Sequence, residues 1–272
     1  MSFSYTPASG EALVVPPIGI VLAEASILKY DGISVSVTSK AKALHKFGQD
    51  PAAGVTRSTV DGLADATEIL LTTNGITTMI SSSAADGETV VVEGHTISGD
   101  DLTFVTQAVG LTGQTGIALG TALARVSRIY NTSATELAGT VSAYEGGAVT
   151  AGVPDTSTEI HASIRAGQQS TEKAATSTSS VDYLFITHIA GSIHDASNLE
   201  CDIALETKAT NGVWQHKADF AVTVAGNPSV FQNYIDSPIV VPANHDIRML
   251  STMASGTAKV TARFGGWFGS VI

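Results

Sequence analysis

The chain has 272 residues and a formal net charge of −11, from 14 basic and 25 acidic side chains. Hydrophobic residues make up 43 %, which excludes a disordered chain, and the missing basic surplus excludes nucleic-acid binding as the main task. Charged residues are only 14 %, against roughly 25 % in an average soluble domain, and 28 Ser, 32 Thr and 26 Gly favour strands and turns over helices.

The N-terminus carries no early positive charge, so no secretory signal is expected and the chain is expected to fold in a cytoplasm. The apolar run 12–28 is interrupted by Pro16, Pro17 and Glu24, too broken for a membrane span. Residues 1–65 read as an extended N-terminal arm with short strands. Ile33–Val37 alternates with period two and predicts a strand. Residues 40–47 fit one helical turn or another strand. Within the arm, Leu13, Val14, Val15, Ile18, Ile20, Val21 and Leu22 cannot bury themselves in so Pro-broken a segment. They are expected to lie on the protein's own body or on a neighbouring subunit, as an assembly arm.

Residues 66–150 predict a β-sandwich module. An apolar strand over 68–75 ends in Asn74-Gly75, a hairpin dipeptide. Strands follow at 76–80, 88–97 and 102–109, separated by turns at 84–87 and 98–101. Segment 118–130 fits a strand or a short helix, and 140–144 alternates again. Residues 148–157 read as a linker. Residues 158–272 predict a jelly-roll-like module, with candidate strands at 159–165, 183–189, 201–207, 214–224, 239–241, 246–251, 259–264 and 267–272. Turn dipeptides at Asn211-Gly212 and Ser255-Gly256 agree with that spacing. Segment 171–180 is nearly all small and polar and reads as a mobile loop. The fold class expected is all-β.

The search for chemistry yields no catalytic, cofactor or metal residues. The Gly-rich run from Gly110 to Gly120 lacks the Gly-Lys-Ser/Thr ending of a phosphate loop and reads as a loop between strands. His188 and His194 would share a face if one strand carried both, but Gly191 is expected to break it. His245-Asp246 is expected to be a hydrogen-bonded structural pair. Asp100-Asp101 sits in a turn that reads either as a solvated hairpin or as a calcium site, and the calcium spacing of ligands is incomplete. The single cysteine, Cys201, excludes a disulfide framework and is expected to be a small buried group. The stretch from Arg57 to Arg125 has no basic residue between its ends and eight acidic ones, a solvated acidic face or one that docks on a basic partner.

The strand opening at 212–217 (GVWQHK), the segment 238–242 (PIVVP) and the closing 264–269 (FGGWFG) resemble jelly-roll modules of tailed-bacteriophage virion proteins. The segment 68–144 is similar to the β-sandwich modules joined to them. The resemblance implies a virion structural protein and not an enzyme. Its type is auxiliary capsid (cement or decoration), binding the major capsid protein on the capsid surface as a homotrimer, without cofactor, nucleic acid or membrane. The long apolar arm departs from that pattern and equally suits a tail- or fibre-associated attachment protein. A carbohydrate-binding β-sandwich module is the further alternative, weakened because Trp214 and Trp267 are placed in strands.

Overall fold

A computed structural model describes residues 26–30, 33–37, 43–53, 58–59, 70–194, 200–223 and 230–271. The assembly-arm residues Leu13 to Leu22 lie outside it. Strand is the dominant secondary structure of the described residues, with one 3-10 turn at Ser157–Glu159 and no α-helix among them. The protein is all-β.

The chain opens with β1 (Ser26–Tyr30), β2 (Ile33–Val37), β3 (Ala43–Ala53) and β4 (Ser58–Thr59). A run of nine strands follows: β5 (Ile76–Ser81), β6 (Thr89–Ser98), β7 (Asp101–Gly110), β8 (Ile117–Leu123), β9 (Arg125–Asn131), β10 (Val141–Tyr144), β11 (Val149–Thr150), β12 (Val153–Pro154) and β13 (Ile160–Ile164). It closes with β14 (Ala175–Ser177), β15 (Asp182–His194), β16 (Glu200–Ala209), β17 (Gln215–Thr223), β18 (Val230–Val241), β19 (His245–Met253) and β20 (Ala258–Val271).

The closing strands make two facing sheets. One has the order β14-β19-β16-β17. The other carries β20-β15-β18, and β3 pairs along β20 from Ala43↔Trp267 to Ala53↔Ala258. Strands β3, β15, β18 and β20 lie in one sheet and β4, β14, β16, β17 and β19 in the other, with β16 and β17 joined as a hairpin, the two-Greek-key order of a jelly roll. Its first strand is therefore β3, far from the rest in sequence. Leu184, Ile186, Ile193, Ile203, Met249 and Phe264 are fully or almost fully buried between the sheets, and Cys201 sits there as the expected small apolar group. Gly191 does not break β15. An added Cβ there would lie 2.3 Å from Ile203 Cδ1, so glycine is required by the facing sheet rather than by a turn. His188 and His194 consequently do share a face of one strand.

Strands β5 to β13 form a second sandwich, inserted between β4 and β14. Its sheets are β13-β10-β5-β8 and β7-β6-β9, and Ile76, Met79, Val92, Leu123, Ile129 and Val141 fill the space between them. Segment 159–165, expected to open the jelly roll, pairs here instead: β13 lies against β10, Val141 opposite Ile164. The expected linker 148–157 holds the β11–β12 hairpin, turned by Ala151 and Gly152 at positive φ of 49° and 76°. Segment 118–130 divides into β8 and β9. The expected strand over 68–75 is irregular in its described part. Asn74 does not turn a hairpin; its side chain receives the Ile97 N–H at 2.7 Å and donates to the Ile97 carbonyl at 3.2 Å, as a strand would.

One carboxylate pins this module. Asp86 accepts from Ser81 Oγ (2.5 Å), Ala138 N–H (2.7 Å) and Gly139 N–H (3.0 Å), tying the turn after β5 to the segment before β10. Burial, and then the nearby Glu159 carboxylate, push the Tyr144 hydroxyl above its ordinary titration range.

Candidate functional site at the seam between the modules

The chemistry-bearing side chains converge where the inserted module meets the jelly roll. Arg125 opens β9 and Asp246 stands near the start of β19; both are buried. Arg125 Nε donates to Asp246 Oδ1 at 2.7 Å and Nη2 to Oδ2 at 3.1 Å, a bidentate pair. Arg125 Nη1 also donates to the carbonyls of Leu71 (2.5 Å) and Ala124 (2.9 Å). Ser177 Oγ adds a bond to Asp246 Oδ1 at 2.7 Å. The ion pair is thus hydrogen-bonded on both sides, which is the condition for tolerating burial of two charges. Leu71 lies where the chain enters the insert and Ser177 where it has left it, so one guanidinium and one carboxylate hold both crossings.

Two further bonds run beside this pair. Lys46 of β3 donates from Nζ to the Ser127 carbonyl at 2.6 Å, and Thr176 Oγ1 reaches Ser127 Oγ at 3.2 Å. Segment 171–180, expected to be a mobile loop, is instead β14 and its flanks, with residues 173–179 buried. Its small hydroxyl side chains fit a narrow seam and supply the bonds a polar seam needs.

The Asp100-Asp101 turn closes the β6–β7 hairpin and docks on jelly-roll loops. Asp101 Oδ1 accepts from Asn244 Nδ2 at 3.0 Å, Asn244 Oδ1 accepts the Leu102 N–H at 2.8 Å, and Asp100 accepts from Asn211 Nδ2. Asn244 holds a φ of 56°, a conformation that asparagine tolerates better than most residues. The turn is a clasp between modules. No group of three or more His, Cys, Asp or Glu that could hold a metal occurs among the described residues.

The expected His245-Asp246 pair does not form. His245 Nδ1 lies 2.8 Å from the Ala243 carbonyl, while Asp246 points the other way to Arg125, as neighbouring strand residues must. Arg125 carried no signal in the sequence beyond being the first basic residue after Arg57. A second buried pair, Arg248 Nη2 to Glu206 Oε2 at 3.0 Å, covers Trp214, whose ring lies 3.8 Å from the guanidinium carbon. That face of the indole is occupied by the protein's own arginine. Trp267 stacks on Phe185 at 4.1 Å. No helix among the described residues is long and apolar enough to cross a membrane.

No protein-family model matches the chain, and no curated protein matches it. Among solved structures, the VP2 subviral particle of infectious bursal disease virus is similar over 94 % of this chain and 75 % of that one, at 8 % identity and a TM-score of 0.22. The Gt strain of the same virus matches over 96 % and 75 %, at 8 % identity and a TM-score of 0.21. Scores of this size establish no common fold.

Proposed function

We propose that the chain is a virion structural protein of the cement or decoration type. It binds the outer surface of a phage head through the major capsid protein, associates as a homotrimer, and is not an enzyme. The observation that supports this reading best is the buried Arg125–Asp246 pair. It ties the two β-sandwiches together, and Arg125 and Asp246 at the seam bond to each other. A component that must transmit load between shell subunits needs that coupling. The resemblance of the 212–217, 238–242 and 264–269 segments to phage jelly-roll modules points the same way. The apolar arm suits a bridge between subunits, since each buried Å² of it contributes about 25 cal/mol.

The deciding experiment is the copy number of this chain in purified particles, measured by quantitative mass spectrometry against the major capsid protein. Cement predicts a number that scales with the shell subunits. A handful of copies per particle overturns it in favour of the tail- or fibre-associated reading.

A further inference from the structure

We infer that Asn211 is a spontaneous modification site: the Asn211-Gly212 turn of the jelly roll converts to an aspartyl or isoaspartyl turn, and the new carboxylate loosens the clasp between the two sandwiches. The sequence holds two Asn-Gly dipeptides, Asn74-Gly75 and Asn211-Gly212. Glycine after asparagine leaves the next backbone nitrogen unscreened by a Cβ, which favours ring closure onto the asparagine side chain. The structure treats the two dipeptides differently. Asn74 is held at both ends of its amide, because Oδ1 accepts the Ile97 N–H at 2.7 Å and Nδ2 donates to the Ile97 carbonyl at 3.2 Å. Turning its Cγ toward Gly75 breaks both bonds. Asn211 and Gly212 are both exposed, in the turn between β16 and β17. Asn211 Nδ2 donates to Asp100, and its Oδ1 has no hydrogen-bond partner among the described residues. The backbone nitrogens give no such contrast: the Gly75 N–H donates to the Thr73 carbonyl at 2.9 Å and the Gly212 N–H to the Ala209 carbonyl at 2.8 Å. The side chains therefore set the difference in rate.

In the reaction, Gly212 N gives its proton to solvent hydroxide and forms a bond to Asn211 Cγ. The Cγ–Nδ2 bond breaks, Nδ2 takes a proton from water and leaves as ammonia, and a succinimide ring remains. Water then opens the ring, at Cγ to give aspartate or at the main-chain carbonyl carbon to give isoaspartate. Only water is consumed, and nothing is oxidised or reduced. Either product sets a carboxylate where a donor faced Asp100, beside Asp101, whose Oδ1 accepts from Asn244. A hydrogen bond becomes a like-charge contact. Asn244 Oδ1 accepts the Leu102 N–H at 2.8 Å, so the Leu102 amide reports on the clasp.

Ageing the full chain in warm, mildly alkaline buffer tests this, with peptide mapping by mass spectrometry that separates aspartate from isoaspartate. Conversion at Asn211 is expected to run at least about tenfold faster than at Asn74, and G212A is expected to suppress it. Alanine can stand there: Gly212 is not in the left-handed region, and an added Cβ would lie 3.2 Å from Ala209 Cβ, a contact that a small shift relieves. Hydrogen exchange at the Leu102 amide then reads the clasp. N211D is expected to lose protection there, and N211D/D100N, which exchanges donor and acceptor, to regain it. Equal conversion at the two asparagines, or none at Asn211, overturns the modification site. A G212A chain that converts like the wild type overturns ring closure through Gly212. Protection at Leu102 that N211D leaves unchanged overturns the loosening of the clasp.

Discussion

The two sandwiches solve the same packing problem with different materials. The jelly roll is filled with apolar side chains up to contact: Phe264 is fully buried, and Gly191 has no room even for a methyl group. The inserted module has a core mainly of Ile, Val, Leu, Met and Ala, with Tyr144 buried in β10, and adds a buried carboxylate, Asp86, that gathers three donors. One module is specified by volume and the other partly by hydrogen bonds. The seam is a third regime, an ion pair with its bonding capacity filled. What differs is how each region should fail.

The largest effect is expected at the seam. Asp246→Ala leaves Arg125 buried and unpaired, which costs about 3–5 kcal/mol. R125M/D246L removes both charges and is expected to return most of that loss in chemical denaturation. If the double variant is as unstable as D246A, the pair is needed for more than mutual neutralisation.

Within the modules, opposite changes of volume are expected to destabilise alike. Gly191→Ala adds one methyl against Ile203 and is expected to cost about 1–3 kcal/mol by overpacking. Asp86→Ala removes volume yet is expected to cost a similar amount, about 1–3 kcal/mol, because the Ala138 and Gly139 N–H groups lose their acceptor. Hydrogen exchange separates the two cases. G191A should weaken protection in β15 and β16, and D86A in residues 138–139. Loss spread evenly over both modules would erase the contrast.

The smallest effect concerns alkaline pH. Tyr144 of the inserted module titrates above its ordinary value of 10.0 because it is buried and Glu159 is near. The unfolded chain therefore loses this proton first. The stabilisation is complete below pH 10 and declines as pH rises through the folded pKa. Tyr144→Phe is expected to flatten that decline in a stability profile taken above pH 9.

Much of this was legible in the sequence. Period-two alternation and turn residues at Ser98-Gly99 and Asn211-Gly212 located most strands, because those signals are local. The insertion was not legible. The pairing of β3 with β20 joins residues about 200 positions apart, and nothing near Ala43 announces its partner. The seam was hidden for the same reason: Arg125 and Asp246 are ordinary residues until two modules bring them together. Segment 171–180 misled because small polar residues suit a loop and a tight polar seam equally well. The turn at Asp100-Asp101 follows from its own residues, but the asparagines that make it a clasp rather than a solvated turn sit more than a hundred residues away.

The placement of β3 also sets the order of events during synthesis. Strands β5 to β13 pair almost wholly with one another, so the inserted module can close as soon as its own residues leave the ribosome. The jelly roll cannot. Its first strand emerges before the insert, and the strand it pairs with is made about 200 residues later. Contacts that distant in sequence form slowly, because the loop must close before they are rewarded. Until then β3 waits with an unpaired edge, liable to aggregate. The early-folding insert shortens that wait, since once folded it brings the two ends of its segment together and leaves a shorter effective loop for β20 to close.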